Sequence, residues 1–158
     1  MKTTSKLLSI AADAKTIKGE KQGYLTGVMY LAPYTLSGFQ VCPNASEGCK
    51  AACLYTAGRG VYSNTQNARI ARTKRFFADK SAFMTQLVSE VEGLIRKAGR
   101  EKLIPVVRLN GTSDLPWEKI KCERKGIEYA SIMEAFPNIQ FYDYTKVLGR
   151  AKALSLGN

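Results

Sequence analysis

Histidine is absent from the 158-residue sequence. That removes both the usual general base at neutral pH and the commonest metal ligand. Any metal must be held by thiolate or carboxylate, and any proton transfer must use Asp, Glu, Lys, Tyr, Cys or bound water. Long apolar runs are missing too. Nothing approaches the roughly 20 apolar residues of a membrane helix, and LLSIAA, at residues 7–12, is too short for a signal-peptide core. The expected setting is the cytoplasm, without a membrane partner, where thiols stay reduced. Acidic residues are scarce: 13 Asp plus Glu stand against 24 Lys plus Arg, a formal net charge of +11. Such a surface attracts polyanions, so nucleic acid or a nucleotide is the first partner to consider. No helix-turn-helix or aromatic RNA-binding signature accompanies the charge, and a basic solubilising surface accounts for it equally.

Hydrophobic residues make up 45% of the chain and charged residues 23%, a globular composition and not a disordered one. The length fits one domain that can bury about two thirds of its unfolded surface without disulfides. The four cysteines therefore read as metal or redox ligands before disulfides. Residues 1–22, lysine-rich and without a sustained apolar pattern, read as a basic N-terminal arm ahead of a single α/β domain at 23–158.

Within that domain, Tyr24 to Leu31 is β-branched and aromatic and predicts a strand, with Gly27 marking a bulge or a close backbone approach. A loop of about 20 residues follows from Ala32, and loops of that length in compact domains are usually functional or disordered. Ser63 to Phe77 is compatible with a helix. Phe83, Leu87, Val88, Val91, Leu94, Ile95 and Ala98 recur at helical spacing, with Asp79 or Ser81 to cap the start and Gly99 to stop it. Leu103 to Leu109 predicts a buried strand whose Pro105 sits near an edge or a strand start. A short helix is expected between Ile127 and Phe136, a strand from Ile139 to Tyr144, and a last helix capped by Thr145 and running through Leu154. This order implies right-handed crossovers and a mostly parallel sheet with crossover helices. Ligands of such sheets bind beyond the carboxyl ends of the strands. The cysteine loop, Asn110 to Asp114, and Asp143 to Lys146 all fall at that end.

Cys42, Cys49 and Cys53 lie in CPNASEGCKAAC, where Pro43, Asn44 and Gly48 let the backbone fold round a centre. Clustered thiolates suit zinc or an iron–sulfur cluster, because the cation relieves their mutual repulsion. Buried structural cysteines and a disulfide are the alternatives. Cys122, in KCERKG, is either a fourth ligand or a free cysteine. Three ligands alone leave a coordination position open for water or substrate. Arg59, Arg69, Arg72 and Arg75, interleaved with Tyr55, Tyr62, Phe76 and Phe77, are candidates for clamping phosphates, or else form a solvated helix face. Asn110, Thr112 and Ser113 could hydrogen-bond the ribose or amino-acid part of a cofactor. Asp114, Asp143 and Lys146 are the candidate catalytic residues, while turn formation and helix capping explain Ser113 and Asp114 without a ligand.

The segments GYLTGVMYLAP, CPNASEGCKAACLYTAGRG, VRLNGTSDLPWE and FYDYTK, in that order across roughly residues 15–150, resemble the gene product 88 family of tailed phages. The resemblance implies a phage origin, hence the cytoplasm of an infected host cell, and relatives that continue past this C-terminus. The arrangement also resembles the first part of a radical S-adenosylmethionine barrel. There a cysteine loop after the first strand holds a [4Fe–4S] cluster and later strand ends bind S-adenosylmethionine. This likeness implies a partial-barrel fold with Cys42, Cys49 and Cys53 as cluster ligands, although their C-x6-C-x3-C spacing departs from the usual C-x3-C-x2-C. Three functions follow as expectations: a metal-dependent enzyme acting on nucleic acid or a nucleotide, a zinc-stapled nucleic-acid-binding module, and a structural or host-interaction protein with unligated cysteines. Nothing in the sequence excludes a homo-oligomer.

Overall fold

The computed structural model describes residues 5–11 and 13–150. Along the chain run β1 (Leu8–Ile10), α1 (Ala14–Lys21), β2 (Tyr24–Met29), α2 (Glu47–Ala51), α3 (Ser63–Ala78), α4 (Lys80–Glu101), β3 (Ile104–Arg108), β4 (Cys122–Arg124), β5 (Ile127–Tyr129), α5 (Ile132–Ala135) and β6 (Gln140–Phe141). The main sheet has the order β1-β2-β3-β6, with β2, β3 and β6 parallel and β1 antiparallel at one side. Among the described residues it is open and does not close into a barrel.

The apolar stripe of α4 folds as its period predicts. Phe83, Leu87, Val91, Leu94 and Ala98 are buried and face the sheet side that carries Leu8, Leu25, Met29, Val107 and Leu109. Asp79 caps the helix by accepting the Ala82 N–H at 2.9 Å. The helix runs past Gly99 to end with Lys102 in the left-handed region, φ 55°. Gly27 introduces no bulge, since β2 keeps continuous register with β3. A Cβ there would lie 3.0 Å from Leu94 Cδ2 and 3.4 Å from Leu8 Cδ1, so the residue permits close approach of α4. Pro105 pairs with Leu25 of β2. Its ring nitrogen faces the other side, where β6 begins only opposite Val106, so no ladder hydrogen bond is lost.

Three segments differ from expectation. The N-terminal region forms β1 and α1: Leu7 and Leu8 are buried, and the Glu90 carboxylate accepts both their backbone N–H groups at 2.8–2.9 Å. The stretch expected as a helix from Ile127 opens instead with β5, which pairs with β4 through a tight turn, and keeps only α5 as helix. Lys125 and Gly126 both have positive φ, 53° and 78°, which matches the twist of a two-residue hairpin. The expected last strand shortens to β6. The helix expected after Thr145 starts at residues 148–150 and otherwise lies outside the described residues. No helix among the described residues is long and apolar enough to cross a membrane.

Candidate functional site

The chain leaves the carboxyl end of β2 into the long loop, which is anchored on the loop that follows β3. The Asp114 N–H donates to the Val41 carbonyl at 2.8 Å. The Tyr34 N–H donates to Cys42 Sγ at 3.3 Å, and that sulfur lies 3.8 Å from the Thr112 carbonyl oxygen. Ser46 caps α2 by accepting the Cys49 N–H at 3.2 Å, which sets Cys49 on the helix and Cys53 just beyond it. Cys42, Cys49 and Cys53 are half-buried free thiols, and all three line one cavity of about 720 Å³. Burial pushes the Cys42 thiol up, and the nearby Cys53, Asp114 and Cys49 add to the shift against the Tyr34 N–H. No group of three or more Cys, Asp or Glu placed to hold a single metal ion occurs among the described residues. Cys122 does not join the others: it is 4% exposed and packs in the hydrophobic core from β4, so it is not placed as a fourth ligand.

The loop after β3 supplies another part of the cavity lining, yet its side chains are committed to the loop itself. Asn110 is 2% exposed. Its Oδ1 accepts from Ser113 Oγ (2.8 Å), the Leu115 N–H (3.0 Å) and Trp117 Nε1 (2.9 Å), while its Nδ2 donates to the Leu115 carbonyl at 3.0 Å. Thr112 donates its hydroxyl to the Leu31 carbonyl. Gly111 donates its N–H to the Met29 carbonyl at 3.0 Å; a Cβ on it would come within 2.7 Å of that oxygen. Asn110, Thr112 and Ser113 thus build the loop and offer a ligand chiefly backbone, which is the turn-forming reading of these residues.

The candidate catalytic groups separate in the same way. Asp114 accepts the Lys146 N–H at 3.0 Å and Arg150 Nη1 at 2.6 Å, while Arg150 also forks onto Glu118 at 2.7 and 2.9 Å. This half-buried ion cluster latches residues 146–150 onto the loop and pairs Asp114 with Arg150. Lys146 lines the cavity and is exposed. Asp143 lies just outside the lining, with both oxygens accepting the Asn110 N–H at 3.1 Å. Arg108 Nε approaches Asp143 to 3.8 Å, a Coulomb contact without a hydrogen bond. Burial pushes the Asp143 carboxyl up to about 6, against the Asn110 N–H, Arg108 and Arg150, which lower it.

The arginines expected as a phosphate clamp have different surroundings. Arg59 is exposed. Arg72 donates to the Tyr30 and Lys6 carbonyls, and Arg75 donates to Gln86 Oε1 at 2.9 Å. Arg69 is 8% exposed, its guanidinium 4.9 Å from the Tyr30 ring centre and 5.6 Å from that of Tyr55. Sequence reasoning passed over Arg108, Tyr30 and Tyr144. Arg108 lines the cavity and lies 5.0 Å from the Tyr144 ring centre. Tyr30 donates its hydroxyl to Asp13 Oδ2 at 2.6 Å, and burial with that carboxylate pushes its pKa well up. One signal was present: a charged residue, Arg108, inside the apolar run LIPVVRL.

A family model described as Gene product 88 matches residues 5–158. The chain belongs to the Gene product 88 family. Membership agrees with the phage gene products that the ordered motifs resemble. No curated protein and no solved structure gives a significant match, and the likeness to a radical S-adenosylmethionine barrel gains no support from these comparisons.

Proposed function

We propose that the cavity at the carboxyl ends of β2 and β3 is a thiolate metal centre with an adjoining ligand site. In this reading Cys42, Cys49 and Cys53 hold an iron–sulfur cluster, and a nucleotide or a nucleic-acid segment occupies the space beside it. The observation that carries the proposal is that three thiols from one loop line a single cavity together with Arg108, Lys146 and Tyr144. Thiols gathered beside Asp114 repel one another once ionised, and a cationic centre removes that repulsion. A cluster fits better than a single ion: it spreads its ligands over several iron atoms, whereas a lone ion needs them converged, and no converged group is present among the described residues. When bound, such a cluster supplies one-electron chemistry.

This chain's own residues would do the rest. Arg108 and Lys146 supply positive charge for phosphate or carboxylate, exposed Tyr144 offers a ring for a base to stack on, and Asp143 sits close to the pKa a general base needs at neutral pH. The cavity's size lies within the range of small-molecule sites, about 300–1,000 Å³, and S-adenosylmethionine fits the same requirements. A second reading, a zinc-stapled module that binds nucleic acid without catalysis, is favoured by the net charge of +11.

Anaerobic purification with iron, sulfide and zinc analysis separates the readings. Iron with sulfide and a broad visible absorption supports the cluster, stoichiometric zinc supports the module, and neither metal refutes both. Cys49→Ser is expected to abolish metal retention while leaving the fold, whose core is elsewhere. Nucleic-acid affinity that does not fall with added salt would contradict the electrostatic part.

A further inference from the structure

Most buried or half-buried arginines of this chain have evident partners. Arg150 forks onto Glu118 and reaches Asp114. Arg124 meets Glu92 and the Ala135 carbonyl and covers the Phe136 ring. Arg72 donates through both terminal nitrogens. Arg69 stands apart: its Nε and Nη1 are buried without any hydrogen-bond partner. The titratable groups that act on it are Tyr30, Tyr55 and Cys53, with no carboxylate among them. The flanking rings stabilise the charge but leave the N–H groups unmet, and buried unmet donors are costly. Arg72 and Arg108 each leave only Nε buried without a hydrogen bond, and of these two Arg108 is the one that lines the cavity. The Arg69 and Arg108 guanidinium groups both lie close enough to Tyr30 to act on its hydroxyl. Arg108 and Cys53 both line the cysteine cavity.

We propose that Arg69 and Arg108, flanking Tyr30 at the carboxyl ends of β2 and β3, form an oxyanion subsite for the phosphate or carboxylate of the ligand in the cysteine cavity. The subsite rests on the cavity being a ligand site and not on which metal the thiols hold. A planar guanidinium matches both oxyanions through paired N–H groups. Keeping two nitrogens of Arg69 and the Nε of Arg108 without hydrogen bonds lowers the stability of the ligand-free protein, a cost typical of functional sites.

Calorimetric titration of the full chain, as purified, with ATP, S-adenosylmethionine and adenosine tests this. The three probes carry a phosphate chain, a carboxylate and neither group. One of the two oxyanion-bearing probes is expected to bind at least about ten-fold more tightly than adenosine, and which one does so identifies the oxyanion. Arg69→Met and Arg108→Gln are each expected to weaken that probe about ten- to a hundred-fold while leaving adenosine unchanged. Ligand-free Arg69→Met should melt at the same or a higher temperature than the parent, which a structural arginine would not allow. If Arg69→Met fails to fold, Arg69→Lys, which keeps the charge but not the fork, takes its place. Absence of binding by both oxyanion-bearing probes, adenosine binding as tightly as they do, or affinity that survives both substitutions overturns the subsite. Because metal content is read separately, a protein without iron or zinc that still discriminates among the probes keeps this inference while losing the metal centre.

Discussion

Replacing Asp143 by Asn is predicted to stabilise the protein above pH 6 and to have little effect below pH 4. Asp143 sits behind the cavity with burial as its dominant influence, which pushes its carboxyl from 3.8 to about 6. Below both values the group is neutral in the folded and the unfolded chain and contributes no pH dependence. Between about 4 and 6 the folded protein keeps a proton that the unfolded chain has released. Stability therefore falls as pH rises through that window and levels off above it. Two pKa units at about 1.4 kcal/mol each set the loss at up to about 3 kcal/mol. The Asn side chain can still accept the Asn110 N–H through its carbonyl oxygen. It forgoes the Coulomb contact with Arg108, which lies 3.8 Å away, so the net gain at pH 7 is expected to be about 1–2 kcal/mol.

The absence of histidine makes the experiment readable, because no imidazole titrates in the same window. Urea unfolding at half-unit steps from pH 4 to pH 7.5 gives the slope, and the carboxyl carbon resonance of Asp143 gives the midpoint directly. A stability that rises or stays level from pH 4 to pH 6, or an Asp143→Asn variant with the parent's slope, would refute the reasoning. A midpoint near 4 would do so as well.

Two further substitutions test how the loop after β3 is built. Asn110→Ala removes the acceptor shared by Ser113, Leu115 and Trp117 and is predicted to cost about 3 kcal/mol in urea unfolding, from the donors left buried; a loss under about 1 kcal/mol would show the loop rearranging around the gap. Gly111→Ala places a Cβ within 2.7 Å of the Met29 carbonyl oxygen, whereas Gly27→Ala meets only the ends of Leu94 and Leu8 at 3.0 and 3.4 Å. The first should destabilise by more than the second, with about 1–3 kcal/mol typical of overpacking against side chains that can shift; the reverse order in thermal melts would contradict the packing described.

The parts of the fold read correctly from sequence are those whose periodicity is long. The α4 stripe repeats over about four turns, and the apolar runs at Tyr24 to Leu31 and Leu103 to Leu109 are bounded by punctuating residues. The misread parts depend on partners far along the chain. β1 is three residues long and is held by Glu90, some eighty positions away, which no local pattern announces. The β4–β5 hairpin did carry a local sign, Lys125-Gly126, but the apolar residues from Ile127 to Phe136 fit a helix equally well. At the site, topology correctly brought the loops of Cys42 to Cys53, Asn110 to Asp114 and Asp143 to Lys146 to one end of the sheet. Spacing could not tell whether Asn110 and Ser113 face a ligand or each other, because a self-bonded turn and a ligand loop use the same residues. Nor could it separate Arg69 from Arg72 on one helix, where only the surroundings show which guanidinium is satisfied.

Charge balance ties the cysteine loop to those surroundings. Asp114, the carboxylate that acts on Cys42, shares Arg150 with Glu118, and Asp143, its carboxyl pushed up to about 6, is mostly ionised at pH 7 and faces Arg108. With its thiols protonated, the cavity keeps the cations Arg108 and Lys146 in its lining, with Arg69 close to Cys53. A divalent centre on three thiolates would carry one net negative charge, since three ligand charges outweigh two on the metal. That charge adds to the carboxylates already beside the cavity, Asp143 and the Asp114–Glu118 pair, and so weakens the pull of Arg69, Arg108 and Lys146 on an oxyanion. Metal binding and oxyanion binding then oppose each other weakly, and loading the thiols should change the affinity for the oxyanion-bearing probe less than removing Arg69 does.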